Sequence, residues 1–172
     1  MANMPAADDG LVLFSEKLAS SAAFAALFRE GIDLVEETAG YLDGAGRVDA
    51  KSLDRAASLA YATESMRLTT RLMQLASWLL LHRAVKEGEM SLAQANREKV
   101  KVKLTAADPA AKEVIERLPG KLQDLIERSM GLQTRIRRLD STMHSPQPPT
   151  ISGNPLVSQL DRLKAAFEGP RR

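Results

Sequence analysis

The feature that most constrains the fold is a long stretch of helical periodicity at residues 59–85, LAYATESMRLTTRLMQLASWLLLHRAV. It contains no proline or glycine, the two residues that most strongly oppose a helix. At roughly 100° per residue its apolar side chains form two seams. The first seam is Tyr61, Leu68, Leu72, Leu75 and Leu79, and the second is Ala62, Met66, Met73, Ala76 and Leu80. A helix with two apolar seams is expected to lie between two partners, so this stretch predicts the central helix of a small bundle.

The third face of the same helix is polar at first and then becomes apolar. It carries Glu64, Arg67, Arg71 and Gln74, followed by Trp78 and Leu81. Exposed apolar bulk usually marks an interface or is covered by another segment, and residues 90–118 are one candidate cover. We therefore take this face, without Gln74, as a candidate surface for a protein partner. The alternative is a solvated face with weak intrahelical ion pairs such as Glu64–Arg67.

Two further long helices are expected beside the central one. A broad apolar stripe predicts the first helix over about residues 21–42, ended by Gly44-Ala45-Gly46 in the left-handed conformation that closes helices. The central helix is expected to begin near Asp49, with Asp49 or Ser52 as its N-cap, and to end at Gly88. That length is close to forty residues, or ~55–60 Å.

The second half of the chain is punctuated by caps and prolines. Ser91 and Gln94 form a capping-box pattern, so a short helix is expected to about Lys99. The alternating KVKVKL of residues 99–104 fits either a frayed helix or an irregular connection, because a lone strand has nothing to pair with. After Pro119 the last long helix is predicted over about residues 120–143. Its seam repeats every three or four residues: Leu122, Leu125, Ser129, Leu132, Ile136, Leu139 and Met143.

These elements predict an all-α protein, an antiparallel three-helix bundle with a long central helix and a flexible C-terminal tail. We place a flexible N-terminus at residues 1–14, the bundle at 15–143 and the tail at 144–172. The tail opens with four prolines in HSPQPPTISGNP, a composition typical of mobile segments. A short amphipathic segment follows at 154–168, with Leu156, Leu160, Leu163 and Phe167 on one face. It suits either docking on its own bundle or recognition by a partner groove.

No catalytic, cofactor-binding or metal-ligating set is found in the sequence. The chain has no cysteine, which excludes disulfides, thiolate metal sites and cysteine nucleophiles. It has no glycine-rich phosphate loop, no nucleophile elbow and no Glu-x-x-His pair. Of its 2 histidines, His82 is best explained as a capping or packing residue. Apolar runs such as residues 78–81 are far shorter than the ~20 residues of a membrane span, so a soluble protein is expected. The missing catalytic set predicts a non-enzymatic protein.

Two basic clusters leave nucleic acid as an alternative partner. One is Arg135, Arg137 and Arg138 on the last helix, and the other is Lys99, Lys101 and Lys103. The net charge of +2 is small, and no recognition-helix motif accompanies the clusters. A DNA-associated regulator is therefore the weaker hypothesis. A small-molecule site between helices is a further alternative.

Three runs of sequence resemble the alphaproteobacterial RcdA family, the regulators of CtrA degradation. They are SSAAFAALFREGIDLVEETAGYLDG at 20–44, LAYATESMRLTTRLMQLASWLLLHRAVKEGEM at 59–90 and RLPGKLQDLIERSMGLQTRIRRLD at 117–140. The resemblance covers most of residues 14–143 and rests on long phrases rather than a short pattern. The tail is the part that matches least clearly.

The resemblance implies a dimeric three-helix bundle without enzymatic activity and without a cofactor. Members of that family act as adaptors for the ClpXP protease, together with a response regulator that primes the protease. They help deliver cell-cycle regulators such as CtrA, and their flexible C-terminal tails take part in partner contact. A cytoplasmic location, with recruitment to a cell pole, is implied in the same way.

Overall fold

The computed structural model describes residues 22–99 and 110–144, and within these ranges the chain forms helices and no strands. The helices are α1 (Ala22–Asp43), α2 (Ala45–Lys51), α3 (Arg55–Lys86), α4 (Leu92–Lys99), α5 (Lys112–Ile115) and α6 (Gly120–His144). This confirms an all-α bundle of three long helices, with α3 at its centre. The expectations for residues 1–14, 100–104 and 145–172 lie outside the described residues.

Contacts between the long helices give their directions. Near the end of α3, Arg83 lies over the Phe28 ring near the start of α1, 4.9 Å from its centroid. At the other end, Gly46 in α2 approaches the Tyr61 hydroxyl of α3. The α1 and α3 helices are therefore antiparallel.

The last helix runs in the same direction as the central one. Arg71 donates a hydrogen bond to Ser129 on α6, and seven residues further along α3 Trp78 donates one to Asp140. Because both contacts advance together, α3 and α6 are parallel and α1 opposes both. The segment that contains α4 and α5 joins the end of α3 to the start of α6.

The start of the central helix differs from the prediction. Residues 45–51 form the separate helix α2, and α3 begins only at Arg55. Its N-cap is Asp54, whose carboxylate accepts a 2.8 Å hydrogen bond from the Ala57 N–H. Asp49, a predicted cap, lies inside α2 and accepts from the Tyr41 hydroxyl at 2.9 Å instead. The α3 helix therefore has 32 residues, about 48 Å.

Glycine ends one of the two predicted helices by the expected mechanism. Gly88, just past α3 and at the predicted end of the helix, has φ +74°, the left-handed conformation that closes helices. Gly44 has φ −113°, so the prediction that its segment closes α1 in this way is wrong. The chain instead turns at Gly44 and continues directly into α2.

In the second half of the chain, α4 and α6 begin at the predicted start signals. The Ser91 hydroxyl accepts from the Gln94 N–H at 3.2 Å, and the Gln94 side chain accepts from the Ser91 N–H at 2.9 Å. This is the reciprocal capping box, and α4 follows it. The last helix starts after Pro119, and its predicted seam is fully buried from Leu122 to Ile136.

Only one of the two predicted seams of α3 is buried. Leu68, Leu72, Leu75 and Leu79 form the core beside α1 and α6. The second seam was wrongly assigned to the interior, because Met66, Met73 and Leu80 are exposed. The face that carries Glu64, Trp78 and His82 is buried in its place. The reason is α6, which packs against that face through Arg71–Ser129 and Trp78–Asp140.

An ion-pair cluster on the surface holds α1 to α6. Both oxygens of the Glu37 carboxylate accept from Arg128, at 2.9 and 2.7 Å, and Lys121 also donates to it. The hydrogen bonds from Arg128 and then Lys121 lower the pKa of Glu37 to about 2 from an ordinary 4.5. The folded state therefore binds this proton less readily than the unfolded chain, so the cluster stabilises the fold above about pH 4.5 and loses that contribution as the pH falls toward 2.

We expect Glu37→Gln to flatten the acid limb of the stability profile. At neutral pH the variant should lose about 1 kcal/mol of unfolding free energy, since a half-exposed cluster is partly screened by water. Urea unfolding at pH 7 and pH 3 measures both proteins. From pH 7 to pH 3 the free energy of unfolding of the wild-type chain should fall by about 1 kcal/mol more than that of the variant. Equal falls in the two proteins would contradict this role for Glu37.

Candidate interaction surfaces

The predicted partner surface is split between the core and a groove. Glu64 and Trp78 are buried, Arg71 and Leu81 are half-buried, and Arg67 is exposed. The expectation of one continuous exposed face is therefore wrong for Glu64 and Trp78. The sequence also allowed this apolar bulk to be covered by another segment of the chain, and Trp78 is covered in this way.

Trp78 is the centre of the core at this end of the bundle. It is 1% exposed, and its Nε1–H donates a 2.9 Å hydrogen bond to the Asp140 carboxylate. Its ring lies 4.0 Å from the His82 ring and 6.5 Å from the Phe24 ring, measured between centroids. Lys99 on α4 is ion-paired with the same carboxylate at 2.5 Å. This arrangement joins four helices, so Trp78 is unavailable to a partner, and His82 packs in the core as predicted.

The other end of the predicted surface forms a compact polar group. Arg67 Nη1 donates to the Glu64 carboxylate at 2.8 Å, the intrahelical pair that the spacing predicts. Arg71 Nη1 donates across the helix interface to the Ser129 hydroxyl at 2.8 Å. These three side chains line a groove of about 540 Å³ between α3, α5 and α6. Three of the five predicted residues are thus brought together.

A second surface was missed, and it is formed by the exposed large apolar side chains of α3. Leu59, Met66, Met73 and Leu80 recur every seven residues, with exposed fractions between 53% and 72%. We call these four residues the heptad stripe. The side chains between them on this face are small and uncharged: Ala62, Thr63, Thr69, Thr70 and Ser77. The sequence carried this signal, since no charge falls on the stripe, but it was interpreted as a buried seam.

Comparison with known proteins identifies the family. A family model described as a protein of unknown function, DUF1465, matches residues 15–167. The crystal structure of RcdA from Caulobacter crescentus CB15 is 49% identical, with a TM-score of 0.63. The match covers 77% of this chain and 99% of that one.

The chain belongs to the RcdA family. A search of curated proteins finds no match.

Two residues of the predicted basic clusters are used within the bundle of this RcdA-family chain. Arg135 donates to Glu30 on α1, and this hydrogen bond raises the pKa of Arg135. Lys99 is held by Asp140. Lys101 and Lys103, like the tail set Leu156, Leu160, Leu163 and Phe167, lie outside the described residues. Arg135 is therefore already paired within the chain, and this disfavours the hypothesis that α6 binds nucleic acid.

Neither a membrane span nor a metal centre is found among residues 22–99 and 110–144. None of the helices there combines the length and apolar character needed to cross a bilayer. The same residues bring together no cluster of three His, Asp or Glu side chains suited to a metal ion.

Proposed function

We propose that this chain is a non-enzymatic adaptor that helps deliver cell-cycle regulators to the ClpXP protease. The observation that carries the proposal is the 49% identity to Caulobacter RcdA over 99% of that chain. The partners in this proposal are ClpXP with a primed response regulator, and substrates such as CtrA. Its location is the cytoplasm, with recruitment to a cell pole.

The surface chemistry supports an interaction protein over the alternatives. The heptad stripe offers uncharged helix surface of the kind that protein interfaces bury. A DNA-associated regulator would need Arg135 free for phosphate, whereas it is paired with Glu30. A small-molecule-binding bundle would need an enclosed pocket with convergent polar groups, whereas the groove between α3, α5 and α6 is open to solvent.

The function is tested by degradation of candidate substrates by purified ClpXP and the primed response regulator, with and without this chain. We expect faster loss of at least one substrate when the chain is present. A DNA titration across salt concentrations is the matched test of the alternative, since phosphate contacts require steep salt dependence. Unchanged degradation together with salt-sensitive DNA binding would favour the alternative.

We further propose a homodimer formed through the heptad stripe. Its four residues are symmetric about a point between Thr69 and Thr70, with Leu59 and Leu80 outermost and Met66 and Met73 inside. Two antiparallel copies of α3 therefore place Leu59 against the partner's Leu80 and Met66 against the partner's Met73. Such self-complementarity is what an isologous two-fold contact requires. Trp78 does not provide this contact, because it is buried within the single chain.

The tail hypothesis gives a separate prediction. Residues 154–168 are proposed to be a recognition helix for a partner, tethered so that its local concentration is high. Deleting residues 145–172 should leave the thermal midpoint nearly unchanged and slow delivery of at least one substrate. Replacing Leu160 and Phe167 together with serine should have the same effect. Strong amide protection across 156–167 in the free protein, with a clear stability loss on deletion, would refute this hypothesis.

A further inference from the structure

The groove between α3, α5 and α6 has an apolar wall and is long enough for a peptide. Ile115, Ile126 and Met130 form much of its lining. Past Glu64 and Arg67 it adjoins a second depression of about 450 Å³ that includes Val114. Leu59 also lines this depression but belongs to the heptad stripe, so the contacts proposed below do not use it. Ala110, Glu64 and Arg67 line both depressions, and we call the two adjoining depressions together the channel. Along α3 this channel spans residues 56–71, roughly 22 Å at the helical rise.

The inner side of the channel carries an excess of positive charge. One buried carboxylate, Glu64, faces two guanidinium groups, and it is bonded to Arg67. The hydrogen-bond partner of Arg71 is the Ser129 hydroxyl, which itself donates to the Ile126 carbonyl at 2.7 Å. Arg71 thus gains a neutral partner rather than a carboxylate of its own. At the rim, Lys112 and Glu127 carry opposite charges.

The Arg71 charge is partly removed from water. Burial lowers the pKa of this guanidinium, and the nearby Glu64 carboxylate opposes that effect only in part. A cation in such surroundings gains more from an added anion than a hydrated surface cation does. The planar guanidinium also has further N–H donors, in a geometry that matches a carboxylate.

We propose that this channel binds a segment of a partner protein in which a carboxylate side chain is flanked by apolar side chains. The carboxylate lies against Arg71 and Arg67, and the apolar side chains lie along Ile115, Ile126 and Met130. This inference rests on the proposed function, since it supplies the adaptor with a specific docking site. A nucleic acid fits less well, because the described lining includes no aromatic ring for base stacking and has little net charge.

A peptide selection tests the site without the protease. A random 12-residue library displayed on phage is selected against the immobilised full-length chain, and the enriched peptides are synthesised. We expect acidic residues next to apolar ones to be enriched, and Arg71→Gln to weaken their binding about tenfold or more. Arg71→Lys, which keeps the positive charge but loses the planar guanidinium geometry, should weaken peptide binding less. Met130→Glu should also weaken it, because it places a negative charge in the apolar wall that contacts the ligand's apolar side chains.

The control is Arg97→Gln, on the exposed face of α4 and outside both depressions, which should leave binding unchanged. Circular dichroism melts check that each variant is folded. The proposal is overturned if no peptide is enriched, if acidic residues are not favoured, or if Arg71→Gln binds normally. It is also overturned if Arg71→Gln abolishes binding of a DNA oligonucleotide instead. Failure here with substrate delivery intact refutes the channel alone, and intact peptide binding without delivery refutes the adaptor function alone.

Discussion

Replacing Trp78 with alanine is expected to lower the free energy of unfolding by about 3–5 kcal/mol, the usual cost of removing a large buried aromatic side chain. The loss combines a cavity beside Phe24 and His82 with the loss of the Trp78 hydrogen bond to Asp140, whose carboxylate keeps its ion pair with Lys99. Natural domains have only about 5–15 kcal/mol in total, so the variant should be partly unfolded at 37 °C. Urea unfolding at 25 °C measures the change.

Two other substitutions make this result interpretable. Trp78→Phe keeps most of the ring and loses the Asp140 hydrogen bond, so a smaller cost, about 1–3 kcal/mol, is expected. Val48→Ala removes a side chain that is 68% exposed on α2 and should stay within about 0.5 kcal/mol. If Trp78→Ala were as stable as Val48→Ala, the placement of Trp78 in the core would be wrong.

The double substitution Met66→Glu and Met73→Glu is expected to convert the proposed dimer into a monomer. In the two-fold arrangement each new carboxylate lies near one from the partner subunit, and like charges at a desolvated contact cost several kcal/mol. The dissociation constant should rise about a hundredfold or more, equivalent to ~2.7 kcal/mol. Sedimentation equilibrium at tens of micromolar, the range in which a modest interface associates, measures this directly.

The matched control is Val48→Glu, which adds a charge at an exposed apolar residue outside the heptad stripe. It should leave the association state unchanged. Monomer stability should also be unchanged in the double variant, since neither methionine is buried in the single chain. A wild-type chain that is monomeric at these concentrations, or a double variant that still dimerises, would contradict the stripe as the interface.

The sequence was sufficient for the three long helices and α4, but not for the short helices α2 and α5 or for every boundary. Periodicity identified α1, α3 and α6, and the Ser91–Gln94 pattern identified the start of α4. The start of α3 was misplaced because Asp49, Ser52 and Asp54 are all good N-cap residues. The choice among them depends on tertiary contacts: Tyr41 takes the Asp49 carboxylate and leaves Asp54 to cap.

The faces of α3 show why the candidate site was only partly predictable. Periodicity reports which side chains share a face, but not whether that face meets the same chain or another one. The apolar face with Met66 and Met73 is exposed, while the more polar face with Glu64 and Trp78 is buried. Burial of Glu64 is tolerated because Arg67 donates a 2.8 Å hydrogen bond to its carboxylate. Burial of Trp78 is tolerated because Asp140 accepts a hydrogen bond from its indole N–H. Asp140 lies 62 residues away in sequence, so no local pattern could indicate it.

The most direct test of the adaptor account is the rate of substrate degradation as a function of the concentration of this chain. ClpXP, the primed response regulator and a candidate substrate are held constant while the chain is titrated from far below to far above the substrate. A tether must bind protease and substrate at once, so the rate should rise, reach a maximum and then fall as excess chain occupies the two separately. A rate that does not change at any concentration would contradict delivery, and a rate that rises to a plateau and never falls would contradict tethering.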